Sequence, residues 1–311
     1  MAIDLCIWDK CNNNCLMCSN PQQSWPAFDG SFDYSYAAII KRLEKQRQDI
    51  EASDCIYITG GEPTAHLKFL DILSFLGNNF PKQKIKLLSN ARRFFYTDFT
   101  RNTLNSLNNL EIEASLYGPN PEIHDRVTGS PGSFEQTVKG LKNLFTLGNG
   151  KCPLSVRFVV NGLSYEYIEE TLALVKEGLS GVKSFMIMFM EYEGKALNNL
   201  DKIGVSYTQA RPFLDQAKRL FKGHPEVRLY HFPLCQIDKD MWPHSWDTWP
   251  LEEVEFLDKC RSCVFQKYCV GVHKGYLNYV GGQEFQPLQR DISVVESGNT
   301  FNPIYDLKNG K

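Results

Sequence analysis

Three cysteines near the amino end, Cys11, Cys15 and Cys18, have the spacing C-x3-C-x2-C. Cysteine thiolates hold iron–sulfur clusters, and a four-iron cluster held by three of them keeps one iron without a protein ligand. An open metal position is typical of catalytic sites, whereas structural sites are closed, a contrast best known for zinc. The spacing therefore predicts a cluster that can bind a further molecule.

A second motif, Gly60-Gly61-Glu62-Pro63, also comes directly after an apolar run, just as the cysteines follow the apolar residues 3–8. Glycines let a backbone approach closely to other groups, and Glu62 adds a carboxylate. Taken alone, the motif also fits a strand–turn–helix in which Pro63 is the first helical residue.

In this order, each at the end of a strand, the two motifs resemble the radical S-adenosylmethionine (SAM) superfamily over roughly residues 3–195. The resemblance implies a [4Fe–4S] cluster on Cys11, Cys15 and Cys18, whose open iron is chelated by SAM. It implies reductive cleavage of SAM to a 5′-deoxyadenosyl radical that abstracts hydrogen from a substrate, with flavodoxin or ferredoxin as the electron donor. It identifies no catalytic side chain.

The resemblance also implies SAM-binding roles for residues near the strand ends. Glu62 would hold its turn or accept from the SAM ammonium, Ser115 and Arg126 would meet the SAM carboxylate, and Asn161 would reach the ribose. A guanidinium fits a carboxylate in a bidentate manner, but each polar residue could equally form a turn or cap. Met17 stands where relatives often carry an aromatic residue along the adenine. The predicted cofactor-binding residues are Met17, Gly60, Gly61, Glu62, Ser89, Asn90, Ser115, Arg126 and Asn161.

A second cysteine group, Cys235, Cys260, Cys263 and Cys269, has the spacing C-x24-C-x2-C-x5-C. Four thiolates can hold either a closed cluster or zinc. The segment resembles the C-terminal domains of radical SAM maturases, called SPASM with two auxiliary clusters and twitch with one, and this favours one auxiliary [4Fe–4S] cluster. We interpret Cys6, Cys55 and Cys152 as packing residues.

The remaining candidates are aromatic and basic side chains. We interpret His66, His124 and His273 as local hydrogen-bonding residues. A tryptophan-rich loop, 241–249, could cover the active site or form the small core of the C-terminal domain, and we favour the core.

These motifs need strands to position them. Apolar runs at 3–8, 54–58, 84–89, 110–116, 154–160 and 183–190 alternate with helical patterns at 34–49, 65–79, 100–109, 134–147 and 166–178. Ser133 is the expected N-cap of the fourth helix. Six strand–helix repeats predict an α/β fold, an open, TIM-like (β/α)6 partial barrel, with ligands at the carboxyl ends of the strands. We predict a radical SAM core over 1–206 and a twitch-like domain over 207–311, beginning with a helix at 207–222 and a strand at 227–232.

Composition excludes several classes. The net charge is −2, which argues against nucleic-acid binding. No apolar stretch of about eighteen residues predicts a membrane span, and the amino end lacks a signal peptide, so we expect a cytoplasmic protein. Ten cysteines in a reducing compartment indicate metal or redox use rather than disulfides.

The favoured function is radical SAM modification of a peptide, by cross-linking, epimerisation or oxidation. Because the first strand begins at residue 3, we expect leader recognition by a separate protein or by the barrel alone. One alternative is the same chemistry on a small metabolite or on a cofactor or antibiotic precursor. Another, of a different class, is a non-catalytic iron–sulfur or zinc scaffold.

Overall fold

The structure is a computed structural model, which describes residues 2–19, 33–289 and 292–307. Its centre is one sheet of eight parallel strands that follow each other in chain order. Within the described ranges the first and last strands do not pair, so the sheet is an open, partial barrel. The strands are β1 (Ala2–Trp8), β2 (Cys55–Gly60), β3 (Lys84–Ser89), β4 (Leu110–Ser115), β5 (Leu154–Val160), β6 (Val182–Phe189), β7 (Glu226–Tyr230) and β8 (Ser245–Trp246).

Helices connect the strands. They are α1 (Tyr36–Lys45), α2 (Arg47–Glu51), α3 (Phe69–Asn79), α4 (Thr97–Ser106), α5 (Pro121–Thr128), α6 (Ser133–Gly148), α7 (Ile168–Gly178), α8 (Leu200–Ile203), α9 (Tyr207–Ala217) and α10 (Lys274–Tyr279). Two antiparallel pairs lie towards the carboxyl end, β9 (Val254–Glu255) with β10 (Val272–His273) and β11 (Val294–Asn299) with β12 (Asn302–Leu307). None of the helices in the described part of the chain has the length and apolar character needed to cross a bilayer.

The predicted fold class is confirmed, with two strands more than the six predicted repeats. The strand expected at 227–232 is β7, which pairs with β6, and the two-residue β8 extends the sheet further. The sheet therefore continues past the domain boundary predicted at 206/207, and that boundary stays a prediction.

Some helix ends differ from the predicted ones. The helix expected over 65–79 begins at Phe69, because Pro63–Ala65 form a separate 3₁₀ turn. Ser133 is the first residue of α6 and not its N-cap. The Asp125 carboxylate, in α5, accepts from the Gly132 and Phe134 N–H groups at 2.6 and 2.8 Å and so caps α6 from another helix.

The two faces of the sheet differ in polarity. On one face, fully buried aliphatic residues such as Ile58, Leu87 and Ile112 pack within the hydrophobic core. On the other, charged side chains pair across neighbouring strands, with Lys86 3.9 Å and Arg157 4.0 Å from the Glu113 carboxylate. Since the strands are parallel, their carboxyl ends meet at one edge, where ligands bind in such sheets. The segments that leave this edge carry Cys11, Gly60, Asn90, Ser115, Asn161, Glu191, His231 and Trp249.

Candidate active site at the carboxyl edge of the sheet

The loop with the first three cysteines leaves β1 and is held by backbone hydrogen bonds from distant segments. Asn14 N–H donates to Thr128 O at 2.8 Å and Leu16 N–H to Val127 O at 3.1 Å, which fixes the loop on the end of α5. Lys195 N–H donates to Cys18 O at 3.0 Å. The loop is therefore positioned by α5 and by the segment after β6.

The three thiols lie close enough to influence one another. Burial raises the pKa of Cys11 to about 11, and the Cys18 thiol adds to this rise. Burial also raises the pKa of Cys15, and the Cys18 and Cys11 thiols add to this rise. Two N–H groups point at the Cys11 sulfur, that of Asn13 at 3.4 Å and the Asn90 amide at 3.9 Å. The site thus brings together three thiols and supplies donors that stabilise a bound thiolate.

The thiols do not approach each other as ligands of a single ion do. Among the described residues, no three His, Cys, Asp or Glu side chains converge tightly enough to hold one metal ion. Thiolates around one tetrahedral zinc lie about 2.3 Å from it, whereas a four-iron cluster is larger and is met by thiols that stand further apart. The donor set fits a cluster, with Cys11, Cys15 and Cys18 as its ligands.

The two glycines bring the turn after β2 against the start of the cysteine loop. A Cβ on Gly60, whose φ is +139°, would lie 2.2 Å from Trp8 O, and one on Gly61 would lie 2.4 Å from Lys10 O. Gly61 N–H donates to Trp8 O at 2.8 Å, and Glu62 N–H to Lys10 O at 2.9 Å. The close approach seen here is to the backbone before Cys11, and contact with a SAM ammonium stays a prediction.

Glu62 joins this turn to the end of β3. Its carboxylate is buried and accepts from Thr64 N–H at 3.1 Å, Thr64 Oγ1 at 2.5 Å, Ser89 Oγ at 2.7 Å and Asn90 N–H at 2.7 Å. Burial raises the pKa of Glu62, and these hydrogen bonds oppose the rise. Of the two roles predicted for Glu62, the structure contains the one that holds the turn.

Asn90 extends this network to the cysteine loop. Its amide nitrogen donates to Asn12 Oδ1 at 2.6 Å, and its Oδ1 accepts from Arg92 N–H at 3.0 Å. Arg92, which the sequence did not single out, reaches the same loop and donates to Asn13 Oδ1 at 2.7 Å and to Asn12 O. Ser89 and Asn90 thus contact groups that position Cys11, and their contact with SAM stays a prediction.

The remaining predicted SAM-binding residues lie in different surroundings; they are Ser115, Arg126, Asn161 and Met17. Arg126 is exposed and donates to Leu163 O at 3.4 Å. Asn161 is fully buried and its amide is used within one turn: Nδ2 donates to Val159 O and Ser164 Oγ, and Oδ1 accepts from Leu163 N–H. Met17 is buried in the core. The arrangement of Asn161 is the turn that was its alternative interpretation, and the SAM contacts of all four stay predictions.

Tyr117 is a site residue that the sequence did not single out. Burial and then the neighbouring Cys15 thiol raise its pKa, while a hydrogen bond with Ser115 opposes the rise. Its ring stacks on His124, with centroids 5.8 Å apart, and its N–H donates to His124 Nδ1 at 3.1 Å. Tyr117 therefore connects the end of β4 with the cysteine loop, and the only signal for it was its position two residues after a strand.

The four C-terminal cysteines line one small apolar pocket of about 30 Å³. Phe256, Phe265, Phe285 and Val272 are among its other walls. Burial raises the pKa of Cys269 to about 12, and Cys235 and Cys263 add to this rise. Among the described residues these thiols, like the first three, do not converge as ligands of one metal ion do, so the group fits a multi-atom cluster better than one ion.

The histidines follow the predicted local roles in part. His66 bonds with Tyr34 O at 2.8 Å and accepts from Lys68 N–H at 2.9 Å. By contrast, His124 Nε2 and His273 Nδ1 are buried without a hydrogen-bond partner in the described part of the structure.

Two tryptophans of the loop 241–249, Trp242 and Trp249, have different surroundings. Trp242 is core, since its indole donates to Leu234 O at 3.2 Å and packs on Phe265. Trp249 stacks on His231, with centroids 4.1 Å apart, and its buried indole nitrogen has no partner among the described residues. The core interpretation therefore holds for Trp242 and leaves the Trp249 indole unexplained.

Comparisons with known proteins agree with this geometry. An AdoMet-dependent heme synthase of Methanosarcina barkeri is 24% identical over 186 residues, which is 60% of this chain and 49% of the relative. The chain spans about half the length of the curated relatives it matches. The fold is similar to that of Streptococcus suis SuiB bound to its precursor peptide SuiA (TM-score 0.55, 16% identity, 73% of this chain and 48% of SuiB).

A second solved structure, anSMEcpe with bound AdoMet and a peptide, is similar over 74% of this chain and 64% of its own, with 18% identity and a TM-score of 0.54. The sequence model of the Radical SAM superfamily matches residues 5–175, more than half of the chain. This range contains the three-cysteine loop, the Gly-Gly-Glu-Pro turn, strands β2 to β5 and most of β1. The chain therefore belongs to the radical SAM superfamily, whose members bind a [4Fe–4S] cluster and SAM, and it is an enzyme.

Proposed function

We propose that this enzyme uses a SAM-derived radical to modify a peptide. The observation that carries the proposal is the presence of two cysteine groups: three neighbouring thiols at the carboxyl edge of the sheet and four more around one apolar pocket. Held by Cys11, Cys15 and Cys18, the first cluster would supply the electron for reductive cleavage of SAM at its S–C5′ bond, chemistry that gives methionine and a 5′-deoxyadenosyl radical able to abstract hydrogen from a substrate. Solved structures of similar fold bind peptides, which supports a peptide substrate here.

The chain's own residues would hold the two cofactors at this edge. Cys11, Cys15 and Cys18 would ligate the cluster, and the Glu62–Asn90 network would keep their loop in place. Gly60, Gly61 and Glu62, together with Ser89, Asn90, Ser115, Arg126, Asn161 and Met17, stay our candidates for SAM contacts. Burial excludes water from the Glu62 carboxylate, so its hydrogen bonds are strong.

The C-terminal cysteines would hold one auxiliary [4Fe–4S] cluster in a twitch-like domain over 207–311. The separation of these thiols, which do not converge on a single ion among the described residues, and the resemblance to twitch domains support this assignment over zinc. Flavodoxin or ferredoxin would supply electrons, and a separate protein could deliver the substrate's leader. A small metabolite is the second candidate substrate, supported by the sequence similarity to a heme synthase.

The proposal is tested on the anaerobically reconstituted chain. The wild type should bind about eight irons and, with dithionite and SAM, release 5′-deoxyadenosine. Cys15→Ala should abolish the release. Cys263→Ala should keep about four irons and the electron paramagnetic resonance signal of the SAM-bound cluster. Cys152→Ala is the matched control, because Cys152 is buried outside both groups and should leave iron and product unchanged.

Two results would contradict the proposal. Absence of 5′-deoxyadenosine from the fully loaded wild type would refute radical chemistry. Four irons plus one zinc per chain, with zinc lost in Cys263→Ala, would refute the auxiliary cluster.

A further inference from the structure

A second polar group lies at the same edge, beside the third cysteine of the loop. Glu191 follows β6, His231 follows β7 and Trp249 follows β8, while His273 ends β10. Trp249 stacks on His231 and lies 5.3 Å from the His273 ring, centroid to centroid. Glu191 is hydrogen-bonded to Ser19, the residue after Cys18. We call these four residues the edge cluster.

Glu191 and Glu193 lack a close basic partner in the described part of the chain, where no Lys or Arg side chain forms an ion pair with either of them. Arg157 lowers the pKa of Glu191 but lies 4.0 Å from Glu113 and 3.2 Å from the Met188 sulfur. Glu111 and Glu113, on the polar face of the sheet, are by contrast ion-paired.

Titration properties agree with a net negative charge here. Burial raises the pKa of Glu193 to about 7, and Glu191 and the more exposed Glu253 add to the rise. Burial lowers the pKa of His231 to about 4 and also lowers that of His273, so both imidazoles are neutral at physiological pH. Burial raises the pKa of Glu191, but His231, the hydrogen bond with Ser19, His273 and Arg157 outweigh it and lower that pKa, which keeps the carboxylate ionised.

Two buried polar atoms in the edge cluster also lack partners. The Trp249 indole nitrogen and His273 Nδ1 accept or donate no hydrogen bond within the described part of the structure, although their side chains are only 8% and 5% exposed. A buried donor without an acceptor destabilises the protein unless a ligand satisfies it. His231 adds a backbone φ of +70°, unusual for a residue other than glycine. Such unsatisfied and strained positions cluster at ligand sites.

We infer that the edge cluster, together with Glu193, binds the cationic side chain of a peptide substrate, with an ammonium or guanidinium on Glu191 and Glu193 and a substrate carbonyl accepting from the Trp249 indole. The cation supplies the ion pair that these two carboxylates lack among the described residues. The site adjoins Cys18 through Ser19 and through Gly194 and Lys195, whose backbone meets Cys18 O. The inference rests on the proposed function, because it places the substrate next to the radical source.

The test measures binding apart from radical chemistry. Cluster-loaded, SAM-bound protein without reductant is titrated by calorimetry with Nα-acetyl-lysine methylamide and with its uncharged counterpart, Nα-acetyl-norleucine methylamide. We expect the lysine probe to bind at least about tenfold more tightly, the ratio of one charge-assisted contact, and this preference to shrink as salt is raised.

Variants separate the two contacts. Glu191→Gln and Glu193→Gln should each reduce the lysine preference, and Trp249→Phe should weaken both probes alike because it removes the indole donor and keeps a ring. Glu252→Gln, an exposed neighbour of Glu253, is the control and should bind like the wild type. If Glu191→Gln does not fold, Glu193→Gln and the salt dependence carry the test.

Equal binding of the two probes by the wild type would overturn the inference, as would tighter binding of Nα-acetyl-glutamate methylamide or an unchanged lysine preference in both glutamine variants. Failure of 5′-deoxyadenosine production would leave these binding results intact, so the inference and the proposed function can fail separately.

Discussion

Removing the Glu62 carboxylate should destabilise the protein and loosen the cysteine loop at the same time. The carboxylate is 1% exposed and accepts four hydrogen bonds from the turn after β2 and the end of β3. In Glu62→Ala, the Thr64 and Asn90 N–H groups lose their acceptor inside the protein, at about 1–3 kcal/mol each. The two hydroxyl donors can turn to other acceptors, so we expect a total loss of about 3–5 kcal/mol.

Glu62→Gln should cost less. Its amide oxygen can replace Oε1 and keep the contacts with Thr64 and Ser89, but its NH2 group then faces the Asn90 N–H, 2.7 Å from the present Oε2. The Asn90 N–H therefore loses its acceptor, and the remaining hydrogen bonds become weaker because their acceptor is no longer charged. Glutamine carries no charge, so the variant avoids the free-energy cost of burying one, which is the cost that raises the pKa of Glu62. This gain offsets part of the lost stability. We expect a loss of about 1–3 kcal/mol.

The assay is anaerobic urea unfolding of the cluster-free chain, with Glu135→Gln as the control. Glu135 is exposed on α6, so its substitution should change the unfolding free energy by less than about 0.5 kcal/mol. Because Asn90 also contacts Asn12 and Cys11, Glu62→Ala should retain less iron after reconstitution than the control. An unfolding free energy of Glu62→Ala within 0.5 kcal/mol of the wild type would refute this reasoning.

Two further predictions concern backbone strain and pH. Ala91 is buried with a left-handed φ of +59°, so Ala91→Gly should raise the urea-unfolding free energy by up to about 1 kcal/mol, and a decrease would contradict this. Burial lowers the pKa of His124 to about 4, below the unfolded value of about 6.5, so its contribution to stability is present above pH 6.5 and is lost as the pH falls towards 4. His124→Asn keeps an acceptor for Tyr117 N–H and removes the titration, so the wild type should lose about 2 kcal/mol more than this variant between pH 7 and 5, and parallel losses would contradict the assignment.

The sequence was most informative where chemistry depends on local spacing. Cys11, Cys15 and Cys18 were identified as one group because they lie within a single loop, and the apolar runs around them predicted the strands that end at the same edge. The structure brings the three thiols together, joins the strand predicted at 227–232 to the sheet as β7, and adds β8. The eighth strand has only two residues, too few to leave a periodic pattern.

Residues that act over long sequence distances could not be predicted in the same way. Arg92 supports the cysteine loop from beyond β3, and Lys195 supports it from beyond β6. Asp125 replaces Ser133 in capping α6 because the end of α5 lies against the start of that helix. Each role follows from packing between elements, which single-sequence periodicity does not contain.

The two parts of the candidate site share one backbone segment. Residues 191–195 carry Glu191 and Glu193 at one end. At the other end the Lys195 N–H donates to Cys18 O, and the Lys195 ammonium donates to Asn14 O at 3.0 Å. A shift of this segment changes the position of the carboxylates and of the cysteine loop together. Because a radical must meet its target at close range, a rigid connection between the loop that would hold the cluster and the residues that would hold the substrate is what hydrogen abstraction at one chosen atom requires.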